Sequence, residues 1–161
     1  MTFDIRWARP GDETAVLRLV KGLAAYEREP DAVQATEASI RDTLFGDNPQ
    51  VFAFLAEADG KPVGLALWFL TYSTWTGRPS LFLEDLFVDE DARGQGIARA
   101  LFRRLAQEAK ARGCPRVDWA VLDWNVEAMA FYERLGGERQ TGWEPWRLQG
   151  EALDRLADKP A

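Results

Sequence analysis

The chain has 161 residues, enough for one compact domain with a full core, and its 47% apolar content suits a globular rather than a disordered protein. A net charge of −6 excludes the basic footprint that non-specific nucleic-acid binding needs, and leaves room for a cationic partner. The absence of histidine removes Ser-His-Asp and Cys-His catalysis and most zinc sites, so proton transfer falls to carboxylates, tyrosine, lysine or water.

Phe3 to Ala8 alternates as a first strand. Asp12 can cap a helix in which Val16, Leu17, Leu19, Val20 and Leu23 recur at helical spacing, to about Glu27. Thr36 caps a second helix, with Glu37 and Ile40 to Phe45 inside it and Gly46-Asp47-Asn48-Pro49 as its stop. Val51 to Glu57 reads as a strand, Asp59-Gly60 as a turn and Pro62 to Tyr72 as the second strand of that hairpin. Ser73 to Ser80 is a loop, and Leu81 to Val88 an apolar strand interrupted by Glu84-Asp85. From Gly94 to Arg112, Ile97, Leu101, Leu105 and Ala109 fall four apart on one helix face, and Gly113 ends it. Arg116 to Leu122 reads as a strand and Val126 to Leu135 as a helix. A short strand is expected after Gly136-Gly137, another over Trp143 to Leu148, and a helical tail over Ala152 to Leu156. The order β-α-α-β-β-β-α-β-α-β-β, without repeats or linkers, predicts one α/β domain over residues 1–161: a mixed sheet with helices on both faces.

No apolar run reaches the roughly 18 residues of a membrane span. The start, Met1-Thr2-Phe3-Asp4, has no basic segment leading into an apolar one, so neither a membrane segment nor a signal peptide is expected. Cys114 is the single cysteine and has no internal disulfide partner, and a reducing cytoplasm is the expected compartment.

The informative stretch leads from the strand at Leu81 through a turn into Arg93-Gly94-Gln95-Gly96-Ile97-Ala98, which opens a long helix. Glycines there let a ligand approach the backbone, and free N–H groups with the positive end of the helix dipole suit an anion such as pyrophosphate. Two glycines alone read more readily as an ordinary glycine-rich helix start. A dinucleotide fingerprint fails because Arg99 stands where the third glycine belongs, and a P-loop fails for want of Gly-Lys-Ser/Thr. Glu84-Asp85 in an apolar strand is the second unusual feature, because burying carboxylates is costly. Tyr132 after Phe131 reads by itself as a core aromatic, and Asp89, Glu90 and Asp91 as a solvated turn rather than metal ligands.

Arg93-Gly-Gln-Gly-Ile-Ala98 matches the Arg/Gln-x-x-Gly-x-Gly/Ala signature of the GNAT acetyltransferase superfamily, and Asp123-Trp124-Asn125 with Ala130-Phe-Tyr-Glu-Arg-Leu-Gly136 resembles its second block. Tyr26-Glu27, Tyr72 with Trp75 and Gly77, Leu83-Glu84-Asp85 and Gly142-Trp143 resemble the diamine (spermidine/spermine) acetyltransferase branch, and the likeness runs from about Ile5 to Leu156. The resemblance implies a mostly antiparallel sheet in which two parallel strands splay apart, acetyl-CoA as cofactor, and a homodimer. It implies that Leu86, Phe87 and Val88 offer backbone groups to the pantetheine arm, that Arg93, Gly94, Gln95, Gly96, Ile97, Ala98 and Arg99 hold the pyrophosphate, and that Asn125, Val126, Glu127 and Ala128 contact the cofactor near the thioester. Tyr132 matches the general acid, and Glu84 the carboxylate that takes the amine's proton through water. Tyr26, Glu27, Trp75, Glu84, Asp85 and Trp143 match positions lining the amine site. A primary amine must lose a proton before it attacks a thioester, a carboxylate can take that proton, and no covalent enzyme intermediate is required.

The chain departs from the polyamine pattern at two points. Thr71-Tyr72-Ser73-Thr74-Trp75 stands where polyamine enzymes read Thr-Tyr-Asp-Pro-Trp, and Thr141 replaces an acid. Tyr72-Ser73-Thr74-Trp75, Ala120 to Asn125 and Gln149-Gly150-Glu151-Ala152 resemble instead the relatives that acetylate thialysine, a lysine-like thioether amino acid. A lysine-like amine is thus the first expectation and a short diamine the second, with no nucleic acid, membrane or metal involved. Acetylation of a protein N-terminus or lysine is an alternative. A non-catalytic acyl-CoA-binding module is another, disfavoured by the presence of both Glu84 and Tyr132.

Overall fold

In the computed structural model, which describes residues 1–159, five strands form one sheet in the order β1-β2-β3-β4-β5. They are β1 (Phe3–Trp7), β2 (Val51–Ala58), β3 (Lys61–Ser73), β4 (Arg78–Val88) and β5 (Val117–Trp119). The first four pair antiparallel, and β5 runs parallel to β4. Alternation sorts the apolar residues onto two faces. Phe54, Ala56, Ala66, Trp68, Leu81 and Leu83 pack under helix α3 (Ile97–Ala111). Ala53, Leu55, Leu65 and Phe87 pack under α1 (Glu13–Tyr26) and α2 (Glu37–Phe45). The mixed, mostly antiparallel α/β sheet with helices on both faces is therefore present. The expected stripe Ile97, Leu101, Leu105 and Ala109 is buried in full, and each leucine so buried stabilises by about 1.5–3 kcal/mol.

Local chemistry sets the helix ends. Thr36 caps α2 reciprocally: its hydroxyl accepts from the Ser39 N–H at 3.1 Å, and Ser39 Oγ accepts from the Thr36 N–H at 2.9 Å. Asp12 precedes α1 but does not cap it. Its carboxylate is taken up by Arg6 at 2.7 and 3.0 Å and by the Arg9 N–H at 2.8 Å, and makes no capping bond to the helix.

Other boundaries differ from expectation for backbone reasons. Helix α3 begins at Ile97, not Gly94, because Gly94 and Gly96 adopt φ of 77° and 83°, outside any right-handed helix. The β3–β4 hairpin pairs out to Ser73–Arg78, so its loop is only residues 74–77. Strand β5 covers Val117–Trp119 alone.

The described residues divide into two units, one ending at Asn125 and one beginning at Val126. The sheet and α1–α3 belong to the first. The second carries α4 (Val126–Arg134) and α5 (Gly150–Ala157). The two strands expected between them are absent from the described structure: residues 138–149 form no ladder and are exposed. Gly142 at φ 89° bends that segment, and Pro145 has no N–H to give a ladder.

Candidate active site

Two acids in one strand ought to face opposite ways. They do not, because the β3–β4 register slips between them: Leu67 pairs with Asp85 but Trp68 pairs with Leu83, leaving Glu84 as an extra residue. This β-bulge turns successive side chains toward one face. Leu83 and Leu86 remain on the α3 face, while Glu84 and Asp85 both fall on the α1 face. There they meet Glu27, the residue that ends α1. Burial pushes the Asp85 carboxyl up to about 6, with repulsion from Glu84 and Glu27 adding to it. Glu27 is raised too, by burial and then by Glu84. Asp85 and Glu27, whose charged forms are disfavoured beside Glu84, form with it a site that a cation would relieve.

Beside the acids, Tyr26 Oη donates to Asn125 Oδ1 at 3.4 Å, and the Tyr26 ring lies 6.3 Å from the Trp124 ring. Asn125 is buried. The Arg93 guanidinium sits 5.1 Å from the Tyr26 ring and 5.6 Å from that of Phe87, while its Nε donates to the Val88 carbonyl at 3.0 Å. Tyr26, Glu27, Glu84, Asp85, Arg93 and Asn125 thus belong to one neighbourhood. Gly22 allows it: a Cβ there would come within 2.7 Å of the Phe87 ring, so only glycine lets α1 lie this close to β4.

The glycine turn fits an acyl-CoA. A Cβ on Gly94 or Gly96 would meet nothing within 4 Å, so the turn opens outward. The first bond of α3 is Ala100 N–H to Gly96 C=O at 3.0 Å, which places the amides of Ile97, Ala98 and Arg99 in the helix's unbonded first turn. The Ile97 side chain is buried, so that residue has only its backbone to offer. Pairing of β4 with β5 stops at Leu83–Trp119, whereas β4 continues to Val88. The edge of β4 carrying Leu86, Phe87 and Val88 is therefore open beyond the point where the parallel strands part, as a pantetheine arm requires.

The remaining expected residues fall on the hairpin tip and in the second unit. Trp75 is 90% exposed at the hairpin tip. Arg78 and Asp85 are seven residues apart along β4, roughly 23 Å at about 3.3 Å per residue, so Trp75 does not join the acids of its own chain. Trp143 is exposed in the irregular segment of the second unit. Tyr132 lies on α4 with its ring 5.4 Å from that of Phe131, and Val126, Glu127 and Ala128 open that helix. Arg28 and Trp124 had no assigned role in the sequence, yet the Arg28 guanidinium stacks 4.0 Å over the Trp124 ring at the rim of the acidic group.

The profile of the acetyltransferase (GNAT) family matches residues 16–137. The chain belongs to the GNAT acetyltransferase family. It is accordingly an N-acetyltransferase. This GNAT enzyme is 40% identical to a thialysine N-epsilon-acetyltransferase of Sus scrofa, over 96% of the chain and 97% of that protein. It is 36% identical to the human spermidine/spermine N(1)-acetyltransferase-like protein 1, over 96% of the chain but 24% of that longer protein. In three dimensions it is similar to an integron cassette protein from V. cholerae, with a TM-score of 0.82, 26% identity and 99% of both chains covered.

Proposed function

We propose that this GNAT enzyme transfers the acetyl group of acetyl-CoA to a primary amine of a small cationic molecule, a lysine-like amino acid such as thialysine first and a short diamine second. The observation that carries this reading is the bulge at Glu84. It sets Glu84 and Asp85 on one face with Glu27, at the open edge of β4 where a thioester would arrive. The substrates named for the similar proteins, thialysine and spermidine/spermine, are amines of this kind.

When bound, acetyl-CoA supplies an activated acyl group and a thiol leaving group. The amides of residues 94–99 with Arg93 would hold its phosphates, and the backbone of Leu86, Phe87 and Val88 would orient its arm. The sequence resemblance assigns residues 125–128 to it as well. Asp85, Glu27 and Tyr26 bind the ammonium end of the amine, and Glu84 takes its proton through a water. Tyr132 Oη is the proton donor to the departing group, a role that rests on the sequence resemblance. The amine attacks directly, in keeping with a chain that lacks histidine.

We read residues 1–161 as one acetyltransferase domain, and the family match runs through the boundary at Asn125. We propose a homodimer. Trp75 at the hairpin tip is too far from its own chain's acids to line their site, and a second copy's hairpin can reach them. The proposed setting is the cytoplasm, without nucleic acid or membrane. Among the described residues no helix is long and apolar enough to cross a membrane.

The test is Glu84→Gln. Removing the base while keeping its shape lowers kcat by about 10²-fold, the usual worth of general base catalysis, and leaves acetyl-CoA affinity in place. A kcat within twofold of wild type refutes Glu84 as the base.

A further inference from the structure

The acids at the end of α1 answer the cationic part of a substrate. A lysine-like amino acid also carries an α-carboxylate, which three carboxylates would repel. Helix α1 ends in a reciprocal pair of backbone bonds: Glu29 N–H donates to Ala24 C=O at 2.9 Å and Arg28 N–H to Ala25 C=O at 3.1 Å. The residue between helix and loop in this motif takes a left-handed conformation and is ordinarily glycine. Here it is Arg28, at φ 66°. A residue other than glycine is uncommon at that backbone angle.

The Arg28 side chain packs on Trp124. The guanidinium lies with its central carbon 4.0 Å over the indole ring, a cation–π contact. A guanidinium carries its N–H donors in its own plane, in a fork that matches the two oxygens of a carboxylate. Arg28 follows Glu27 directly, yet among the described residues it enters no ion pair. It does not figure among the groups that set the acidity of Glu27 or Asp85. The stack keeps this cation apart from the acids beside it.

We infer that Arg28, held on Trp124, is the specificity-determining residue that binds the α-carboxylate of an amino-acid substrate, and so selects a lysine-like amino acid over the diamine that lacks the carboxylate. This rests on the reading of the chain as a small-amine acetyltransferase. Arg28 attracts the amino acid and repels the second ammonium of a diamine, so one residue works on both sides of the choice.

The experiment compares kcat/KM for thialysine and for its carboxylate-free counterpart, bis(2-aminoethyl) sulfide, in wild type, Arg28→Gly and Arg28→Lys. Glycine suits the left-handed backbone, so Arg28→Gly folds, as its thermal unfolding will report. The inference requires wild type to prefer thialysine. Arg28→Gly then shifts the ratio of the two kcat/KM values at least tenfold toward the diamine, mostly through KM, and Arg28→Lys restores part of the preference. Equal losses on both substrates, or an unchanged ratio, overturn it while leaving the acetyltransferase reading intact. Failure of wild type to acetylate either amine refutes the substrate reading and this inference with it.

Discussion

Asp85 shows most directly what the site costs the fold. Burial, then Glu84 and Glu27, raise its carboxyl from 3.8 to about 6. The folded chain therefore binds a proton more readily than the unfolded one between these values. Asp85 consequently contributes a stability that is greatest below the lower value and declines as pH rises through the higher one. At pH 7 the buried charge is a net liability. Asp85→Asn should raise the melting temperature at pH 7 by about 2–4 °C, the shift about 1 kcal/mol gives in a chain of this size. The same substitution should weaken the KM for a cationic amine, and wild-type KM should rise as pH falls below about 6. A melting temperature at pH 7 that drops on substitution would contradict this account of Asp85. The lone cysteine has no comparable role: Cys114 is buried, and burial raises its thiol.

At the scale of elements, the site depends on how closely α1 lies on β4. Gly22 sets that distance against Phe87. Gly22→Leu should push the helix away, costing about 1–3 kcal/mol in urea unfolding, and should raise the amine KM because Glu27 moves with the helix. A variant as stable as wild type with an unchanged KM would show that the spacing is not critical. Periodicity made α3, the β2–β3 hairpin and the glycine turn legible in the sequence, because each is a local pattern. The bulge at Glu84 was not legible, since it is a property of two paired strands and leaves no mark in one of them. Arg28 was hidden for a related reason: the residue that announces such a helix end is glycine, and here it is arginine. The strands expected within residues 138–148 show the opposite failure, in which apolar and aromatic residues suggested a ladder that Gly142 and Pro145 oppose.

At the scale of the molecule, the sheet buries two faces and keeps the open β4 edge and the glycine turn at the surface. Adjacent acids in an apolar strand pointed to Glu84 and Asp85 before their geometry was known. Trp75 was found by resemblance, and it stands exposed on the hairpin tip, away from the acids of its own chain. The Ser73 side chain turns inward on that same tip, its hydroxyl accepting from the Thr76 N–H at 3.4 Å. The loop position that carries an acid in the polyamine pattern here serves the turn. Long polyamines are therefore expected to rank below lysine-like amines. Acetyl transfer to such amines is tested most directly by supplying the purified chain with acetyl-CoA and, in turn, thialysine, lysine, short diamines, spermine and a peptide N-terminus, and following release of free thiol. The account predicts amine-dependent thiol release that is greatest with the lysine-like amino acids, lower with short diamines and lowest with spermine. Thiol release that no small amine accelerates, or that the peptide accelerates most, would contradict it.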